Sequence, residues 1–401
     1  MKLPYKNNMK YSYIFRFLNS FDLSSAIWVL YLVQKGLPLW QIGVIEGLFH
    51  IVSFLSEIPT GAAADLLVRK KVMILSRLCH TTAAIILLFA TGFWEFVIGF
   101  TFSAWGYNLL SGSEEALIYD SLKSMKQERS YLKISGRLEV ILNIAQGIAA
   151  LVGGILAQKS FYICYATAAF ISILSLVPCF LLKEPILTEH KVKKKVSVRG
   201  HFSDSYHIVR KNPKVLEVII SYSVIFTIYM ITYFYGQKYF AELGMNKVQI
   251  SMIMTLTMGT SCIGALLCNK VKELLKDYTK LLALFIIGLG AVGLAFGNIP
   301  LSIFCFSLMG FANTLLYPIQ SDKLNRLIPS DYRATIISVN SMAYSLFMLL
   351  LFPVVGVIAE RVGLNTTFAA LGVGVVICSI GLGGKRLFKY SSHNNQGCDT
   401  P

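Results

Sequence analysis

Long apolar segments, separated by short polar ones, follow one another along almost the entire chain. A helix needs about 20 apolar residues to cross the roughly 30 Å hydrocarbon layer of a membrane. The pattern therefore predicts an all-α, polytopic membrane protein with twelve transmembrane helices. The predicted helices span residues 12–33, 42–64, 72–91, 94–117, 134–157, 161–182, 215–236, 249–267, 280–297, 299–319, 334–357 and 365–384.

One long hydrophilic segment, 183–214, separates the first six predicted helices from the last six, and it carries the basic run KVKKKVSVRG. Such a run can bind anionic lipid beside a membrane, but we interpret it as an ordinary cytoplasmic linker. The predicted organisation is an N-terminal six-helix bundle (1–182), the linker (183–214), a C-terminal six-helix bundle (215–390) and a cytoplasmic tail (391–401).

The two halves of the chain resemble each other in sequence. KGLPLWQIGVI at 35–45 aligns without a gap with LGMNKVQISMI at 243–253, at an offset of 208 residues. The DSL at 120–122 corresponds to the DKL at 322–324, at an offset of 202 residues. Each pair occupies the same loop of its half. Parallel repeats of six helices are typical of transporters that bind their substrate near the midplane, between the halves.

Composition supports a membrane protein and excludes several other classes. Hydrophobic residues make up 55% of the chain and charged residues only 14%, whereas soluble domains carry about 25% charged residues. A soluble enzyme, a disordered scaffold and a secreted disulfide module are therefore excluded. The eight cysteines show no CxxC or His-paired spacing, so we interpret them as small hydrophobic residues and expect no metal site.

The positive charge of the chain fixes its predicted orientation. A formal net charge of +16 is compatible with binding nucleic acid, but the Lys and Arg residues lie in the loops between apolar segments. With both termini in the cytoplasm, 30 of them lie in cytoplasmic segments or at the cytoplasmic ends of the predicted helices, and 5 lie in outside loops. Positive charge favours the cytoplasmic side. We therefore expect both termini in the cytoplasm and no nucleic-acid partner. We also expect the protein to be a monomer in a bacterial plasma (inner) membrane.

Polar residues form a stripe on the second predicted helix. Glu46, His50 and Glu57 stand at i, i+4 and i+11, within about 40° of one another around the helix axis. The stripe is therefore expected to face a water-filled cavity. A charge at the centre of a bilayer costs about 2.5–3.5 kcal/mol even on insertion scales, so a charge that is retained there is either paired or functional.

Charges on neighbouring helices lie at similar depths. At 1.5 Å per residue, Asp22 lies about 15 Å and Arg77 about 9 Å from the inner surface. This depth predicts one cluster of Asp22, Glu57 and Arg77, with Arg16 at its edge. A carboxylate that alternates between a dry and a wet site can bind and release protons. Glu57 and then Asp22 are the candidate proton carriers; the alternative is a purely structural Asp22–Arg77 or Glu57–Arg16 ion pair.

A charged segment follows the second predicted helix at its cytoplasmic end. Asp65 faces the negative end of its own helix dipole and needs a positive partner. Arg69, four residues later, can supply one, and so can the N-terminus of a neighbouring helix. We expect Gly61, Asp65, Arg69 and Lys70 to form a gating motif that closes the inner face. The alternative is an ordinary helix boundary with positive residues on its cytoplasmic side.

This segment resembles a known family signature. Gly61-x3-Asp65-x3-Arg69-Lys70 is similar to the loop motif of the major facilitator superfamily, and with Glu57 and Pro59 upstream it resembles Gram-positive drug–proton antiporters, including a tetracycline-efflux branch. LNRLIP at 324–329 and SEEALIYDSLK at 113–123 are similar to stretches of that bacterial group. The resemblance implies two pseudo-repeated six-helix bundles of the major facilitator fold, powered by a proton gradient without a cofactor.

Aromatic residues indicate a wall for the substrate. On the seventh predicted helix four of them share one face at i, i+4, i+7 and i+11, namely Tyr222, Phe226, Tyr229 and Tyr233. Trp105 on the fourth helix, with Tyr344 and Phe347 on the eleventh, is expected to complete a facing wall. Such walls suit flat, amphipathic or cationic compounds. The alternative is that these rings face lipid or pack between helices.

Three functions fit these patterns. The first is export of amphiphilic, drug-like small molecules in exchange for protons. The second is proton-coupled uptake of a small polar nutrient, and the third is a transporter-like membrane sensor. The chain carries no HExxH, Walker or GxSxG motif, and an enzyme is not expected. The expected partners are a small-molecule substrate, protons and the lipid bilayer.

Overall fold

The computed structural model describes residues 5–66, 68–111, 113–185, 212–327 and 333–395. The described residues form helices and connecting turns, with no strand among them. The helices of the first half are α1 (Lys6–Ser20), α2 (Trp28–Gln34), α3 (Leu39–Leu66), α4 (Arg69–Phe89), α5 (Phe93–Leu110), α6 (Ser113–Ser124), α7 (Tyr131–Lys159), α8 (Phe161–Leu174) and α9 (Leu176–Leu181). Those of the second half are α10 (Pro213–Glu242), α11 (Lys247–Leu275), α12 (Thr279–Leu294), α13 (Ile299–Leu327), α14 (Arg333–Val362) and α15 (Leu364–Asn395).

Membrane-spanning helices dominate this architecture. Within the described ranges, nine helical spans are long and apolar enough to cross a membrane. One of them, Phe161–Leu181, comprises α8 and α9 together, and α12 is a shorter apolar helix. The predicted all-α, polytopic membrane fold is thereby confirmed. Nine of the predicted spans each correspond to one continuous helix. The first, fourth and sixth predicted spans are each divided into two helices.

Local side-chain hydrogen bonds explain two of these divisions. Between α1 and α2, the carboxylate of Asp22 accepts hydrogen bonds from the backbone N–H and the hydroxyl of Ser24, at 2.9 and 2.6 Å. Between α8 and α9, the hydroxyl of Ser175 donates to the carbonyl of Ser172 at 2.6 Å. Asp and Ser side chains that bond to nearby backbone compete with a regular helix. An apolar pattern does not reveal such breaks.

The first compact unit comprises the described residues up to 185, together with Met245–Thr255 and Met348–Gly356. The start of α11 belongs to it because the ammonium of Lys247 donates to the carbonyl of Ala157 at 3.0 Å and lies 4.0 Å from the ring centroid of Phe161. Part of α14 belongs to it because a Cβ on Gly43 would lie 2.7 Å from the nitrogen of Pro353. The domain boundaries derived from the sequence stay a prediction.

The second unit comprises 212–244, the described residues of Leu256–Phe347, and 357–395. Helices α12 and α15 cross in it at two glycines. A Cβ on Gly372 would lie 2.5 Å from the carbonyl oxygen of Gly288, and a Cβ on Gly288 would lie 2.9 Å from that of Gly372. Small residues allow membrane helices to approach this closely, which is how such helices gain packing energy in lipid.

We expect the Tyr239→Phe variant to destabilise the second unit. The side chain of Tyr239 is fully buried, and its hydroxyl lies 2.5 Å from the carbonyl oxygen of Leu294 and 2.7 Å from the Ser302 hydroxyl. Removing it leaves both partners without this hydrogen bond, which costs about 1–3 kcal/mol. Denaturation of the purified protein in mixed micelles measures the loss. The half-exposed Tyr278→Phe is the matched control, and equal effects of both variants would contradict the prediction.

Candidate functional site

The polar stripe on α3 starts with a titratable pair. Glu46 and His50 are both largely buried, and the Nε2 atom of His50 lies 3.7 Å from the Oε1 atom of Glu46. The ring of His50 meets that of Phe49 edge-on, at 5.6 Å between centroids. The structure thus brings these two predicted residues together. The side chain of Glu57 lies outside the described residues.

A hydrogen-bonded network continues the stripe towards Glu57. The hydroxyl of Ser53 donates to Oδ1 of Asn108 on α5 at 2.7 Å. The amide of Asn108 donates to the hydroxyl of Ser56 at 2.9 Å and to the carbonyl of Ser53. Asn108 was not singled out by the sequence, although Ser53 and Ser56 follow His50 at helical spacing. The network joins α3 to α5 on the polar side of α3.

Arg77 on α4 binds neutral partners on other helices. It is buried, with 5% of its surface exposed. Its guanidinium donates to Ser175 at 2.8 Å, to Ser172 at 2.9 Å, and to Oδ1 of Asn19 at the end of α1. The structural ion pair between Arg77 and Asp22, one of the sequence-based alternatives, is therefore not formed. The reason is that serine and asparagine oxygens already accept from all three guanidinium nitrogens.

Asp22 lies in the break between α1 and α2 and is exposed. Its carboxylate accepts both hydrogen bonds from Ser24 described above. Among the described residues, no lysine or arginine nitrogen lies within 4.0 Å of it. The predicted single cluster of Asp22, Glu57 and Arg77 is consequently not assembled by the described side chains, because the chain at Asp22 leaves the helix instead of continuing along it.

Arg16 on α1 forms the strongest ionic contact of the described residues. Its Nη2 atom lies 2.8 Å from Oε2 of Glu114 and 3.1 Å from Oε1 of Glu115, both on α6. Depth along the helices predicts Glu57 as a partner of Arg16 and does not point to these two glutamates. Their position in the first turn of a helix, where acidic residues are favoured, becomes visible only once the fourth predicted span is known to be divided.

The gating motif is partly described. The backbone N–H groups of Arg69 and Lys70 begin α4 and donate to the two carboxylate oxygens of Glu184 at 2.9 and 2.8 Å. The Nε atom of Arg69 lies 3.8 Å from Oδ2 of Asp120, and the ammonium of Lys70 donates to the carbonyl of Phe180 at 2.7 Å. A carboxylate at a helix N-terminus is favourable. The other two members of the motif, Gly61 and Asp65, lie in a stretch whose side chains the structure does not describe.

The aromatic residues of α10 contact one another and α13, but they differ in exposure. Tyr229 and Tyr233 lie 6.1 Å apart between ring centroids, and Tyr233 stacks on Phe306 of α13 at 5.9 Å. Phe226 meets Tyr317 at 6.2 Å. Tyr222, in contrast, is 1% exposed and lies beneath the ammonium of Lys280, 4.6 Å from its ring centroid. Tyr222 therefore packs closely against its neighbours here, and its place in a substrate cavity stays a prediction.

The other aromatic candidates are partly exposed. Trp105 is 39% exposed and meets Phe102 edge-on, with 5.3 Å between centroids. Tyr344 and Phe347 on α14 are of intermediate exposure. That these three side chains complete the wall begun by α10 stays a prediction.

Comparison with known proteins identifies the family. The model of the Major Facilitator Superfamily matches residues 12–350 and 240–391. An uncharacterized MFS-type transporter, YxaM of Bacillus subtilis (strain 168), is 22% identical over 369 residues, which cover 88% of this chain and 89% of that protein.

Solved structures share the fold. The nucleoside transporter NupG superposes with a TM-score of 0.76 at 14% identity, over 95% of this chain and 98% of that one. A peptide transporter POT in complex with sulfate gives 0.72 at 14% identity, over 94% and 93%. A bacterial homolog of the human lysosomal transporter Spinster, in an inward-facing and occupied conformation, gives 0.73 at 14% identity, over 94% and 96%. The chain is a multi-pass membrane transporter that belongs to the major facilitator superfamily.

Proposed function

We propose that this transporter exports amphiphilic, drug-like small molecules in exchange for protons, by alternating access of two six-helix bundles. The observation that carries the proposal is the buried pair of Glu46 and His50, whose Oε1 and Nε2 atoms lie 3.7 Å apart within an apolar helix. A membrane helix retains ionisable residues at such positions when they serve a substrate, an ion or a proton.

The pair suits proton coupling because of its chemistry. One proton shared by a carboxylate and an imidazole gives either an ion pair or two neutral groups, and loss of that proton leaves one uncompensated negative charge. Opening of the site to water on one side stabilises that charge, and closure destabilises it. Glu57 and Asp22, the first candidates from the sequence, belong to the same proposal: Glu57 lies on the same stripe, and Asp22 is an exposed carboxylate in a helix break.

The substrate class follows from the α10 face. Phe226, Tyr229 and Tyr233 present rings that contact one another or α13. Aromatic rings bind flat apolar bodies by stacking and cations by their π faces. Compounds that combine both features are therefore the expected cargo. The excess of basic residues in alternate loops supports a bacterial plasma membrane location with both termini in the cytoplasm.

Uptake of a small polar nutrient is the second candidate. The observation that favours it is the network of Asn108 with Ser53 and Ser56, which offers amide and hydroxyl groups next to the polar stripe. A polar solute would replace its water shell with such groups. A sensor without transport has no specific support from the side chains described above.

Inside-out membrane vesicles test the proposal directly. The vesicles enclose a fluorescent pH reporter and are energised to an acid interior, after which tetracyclines, macrolides, dyes, quaternary amines and sugars are added in turn. We expect an amphiphile to cause proton release from the interior. The Glu46→Gln and Glu57→Gln variants should lose that release, while the exposed Glu242→Gln keeps it.

Two other outcomes of this assay would contradict parts of the proposal. Proton release that requires a sugar preloaded inside the vesicles, with no release on addition of any amphiphile, would replace export with proton-coupled nutrient uptake. Release that persists at the wild-type level in both Glu46→Gln and Glu57→Gln, with normal expression, would remove the α3 stripe from the coupling mechanism. Vesicles from cells without the transporter supply the baseline for each compound.

A further inference from the structure

We propose that Glu114 on α6 is a proton-binding site, formed together with Arg16 of α1 and Glu115, that takes up a proton from water and releases it during transport. The inference rests on the proposed function, since it adds a proton-binding group to the same proton-coupled transport. It concerns residues on α1 and α6 rather than the stripe on α3.

Burial without hydrogen-bond partners marks the site. Glu114 is 1% exposed and Arg16 is 9% exposed. Apart from the contact with Arg16, neither carboxylate oxygen of Glu114 has a hydrogen-bond donor among the described residues, and the Nε atom of Arg16 and the hydroxyl of Ser12, one turn earlier on α1, also have no partner there. Buried polar groups are normally hydrogen-bonded, so an ionised Glu114 would depend on Arg16 alone among the described residues.

The balance of charges in the site favours the binding of one proton. Arg16 supplies one positive charge, whereas Glu114 and Glu115 supply two negative charges when both are ionised. The three groups then carry a net charge of −1 (one minus two) around the buried carboxylate of Glu114, which is unfavourable. One proton on a carboxylate, forming an O–H bond, restores neutrality.

Glu114 is the carboxylate that takes the proton. Glu115 has 46% of its side chain exposed and accepts a hydrogen bond from Arg16 at 3.1 Å, so water and Arg16 both stabilise its charge. Glu114 is shielded from solvent and has no second donor among the described residues. When Glu114 is neutral, Arg16 keeps Glu115 as its counter-ion without any movement of the helices. The half-exposed Glu115 also places the site beside water, from which the proton comes.

The other charged groups around Glu114 reinforce this direction. Glu139 of α7 adds a further negative charge near Glu114, and the thiol of Cys179 on α9 also lies near Glu114. Arg77 of α4 directs its donors elsewhere, to Asn19, Ser172 and Ser175. Among the described residues, Arg16 is therefore the main positive charge that faces Glu114 and Glu115, and Glu139 adds a third negative charge nearby.

Infrared spectroscopy of the full-length protein in lipid tests the proposal without any substrate. We expect the carbonyl stretching band of a protonated carboxylic acid near neutral pH, which disappears when the pH is raised. Glu114→Gln should lose this component, and Glu242→Gln should keep it. Glu115→Gln should retain it only at more acid pH, because Arg16 then balances an ionised Glu114 alone.

The proposal is overturned if Glu114→Gln leaves the titrating band unchanged. If Glu114→Gln fails to accumulate in the membrane, Glu115→Gln provides the test. A band that titrates at the same pH in Glu115→Gln as in wild type would also overturn the proposal. In the vesicle assay, Glu114→Gln should lower the number of protons released per substrate. Vesicles in which wild type releases no protons contradict the proposed function, whereas an unchanged proton count in Glu114→Gln contradicts this inference alone.

Discussion

Replacing Gly153 by alanine is expected to prevent correct folding of the first unit. A Cβ at this position on α7 would overlap the carbonyl oxygen of Leu23 and lie 2.8 Å from its carbonyl carbon, in the break between α1 and α2. Overpacking of a core costs about 1–3 kcal/mol and occasionally more. Here the obstructing atoms are backbone, which cannot change rotamer, so we expect a loss at the upper end of that range or beyond.

The same helix provides the matched control. Gly147 lies on α7 with no atom within 4 Å of a Cβ built there, so Gly147→Ala should leave stability unchanged or raise it slightly, because alanine favours helix more than glycine. The fraction of each variant that stays monodisperse after heating in detergent measures the effect. Similar melting of Gly153→Ala and Gly147→Ala would show that α7 does not approach Leu23 as closely as described.

This contact matters for function as well as for stability. Leu23 is fully buried and directly follows Asp22, whose carboxylate caps the same break. The thiol of Cys164 on α8 also approaches the carbonyl of Leu23, at 3.8 Å. The close packing of α7 and α8 against this carbonyl therefore holds the segment that presents Asp22. A milder disturbance there is expected to alter transport before it unfolds the protein.

Some of the candidate site could be predicted from the sequence because helix geometry alone determines it. Glu46 and His50 stand four residues apart, and any regular helix brings residues at that spacing onto one face. The apolar segments likewise depend on the thickness of the bilayer rather than on tertiary contacts. The family motif added the superfamily, which the comparisons confirm.

The partners of Arg16 and Arg77 could not be predicted in this way. They come from helices far away in sequence, and serine and asparagine are too common in membrane helices to mark a site. The divided first span also depends on a local competition, between the Asp22–Ser24 hydrogen bonds and a regular helix, which hydrophobicity does not report. Tyr222 shows the limit of periodicity, since a shared face does not reveal whether a ring meets a cavity or the neighbouring helix.

Replacing Arg77 by lysine should destabilise the first unit by about 3 kcal/mol, the range of one or two charge-assisted hydrogen bonds. In the native site three different guanidinium nitrogens serve three acceptors: Nη1 reaches Asn19, Nε reaches Ser175 and Nη2 reaches Ser172. A lysine places its three donors on one nitrogen, which cannot lie within hydrogen-bond distance of all three oxygens. The positive charge stays buried and loses part of its stabilisation.

The comparison with Arg137→Lys isolates that geometric effect. Arg137 lies exposed on α7, so the same chemical change there should alter the free energy of unfolding by less than about 0.5 kcal/mol. Denaturation in mixed micelles, followed by tryptophan fluorescence, gives both values. An equally small loss in Arg77→Lys would mean that charge alone, rather than the guanidinium fork, holds the end of α1 and the α8–α9 junction against α4. A large loss would establish Arg77 as the residue that joins these three parts of the first unit.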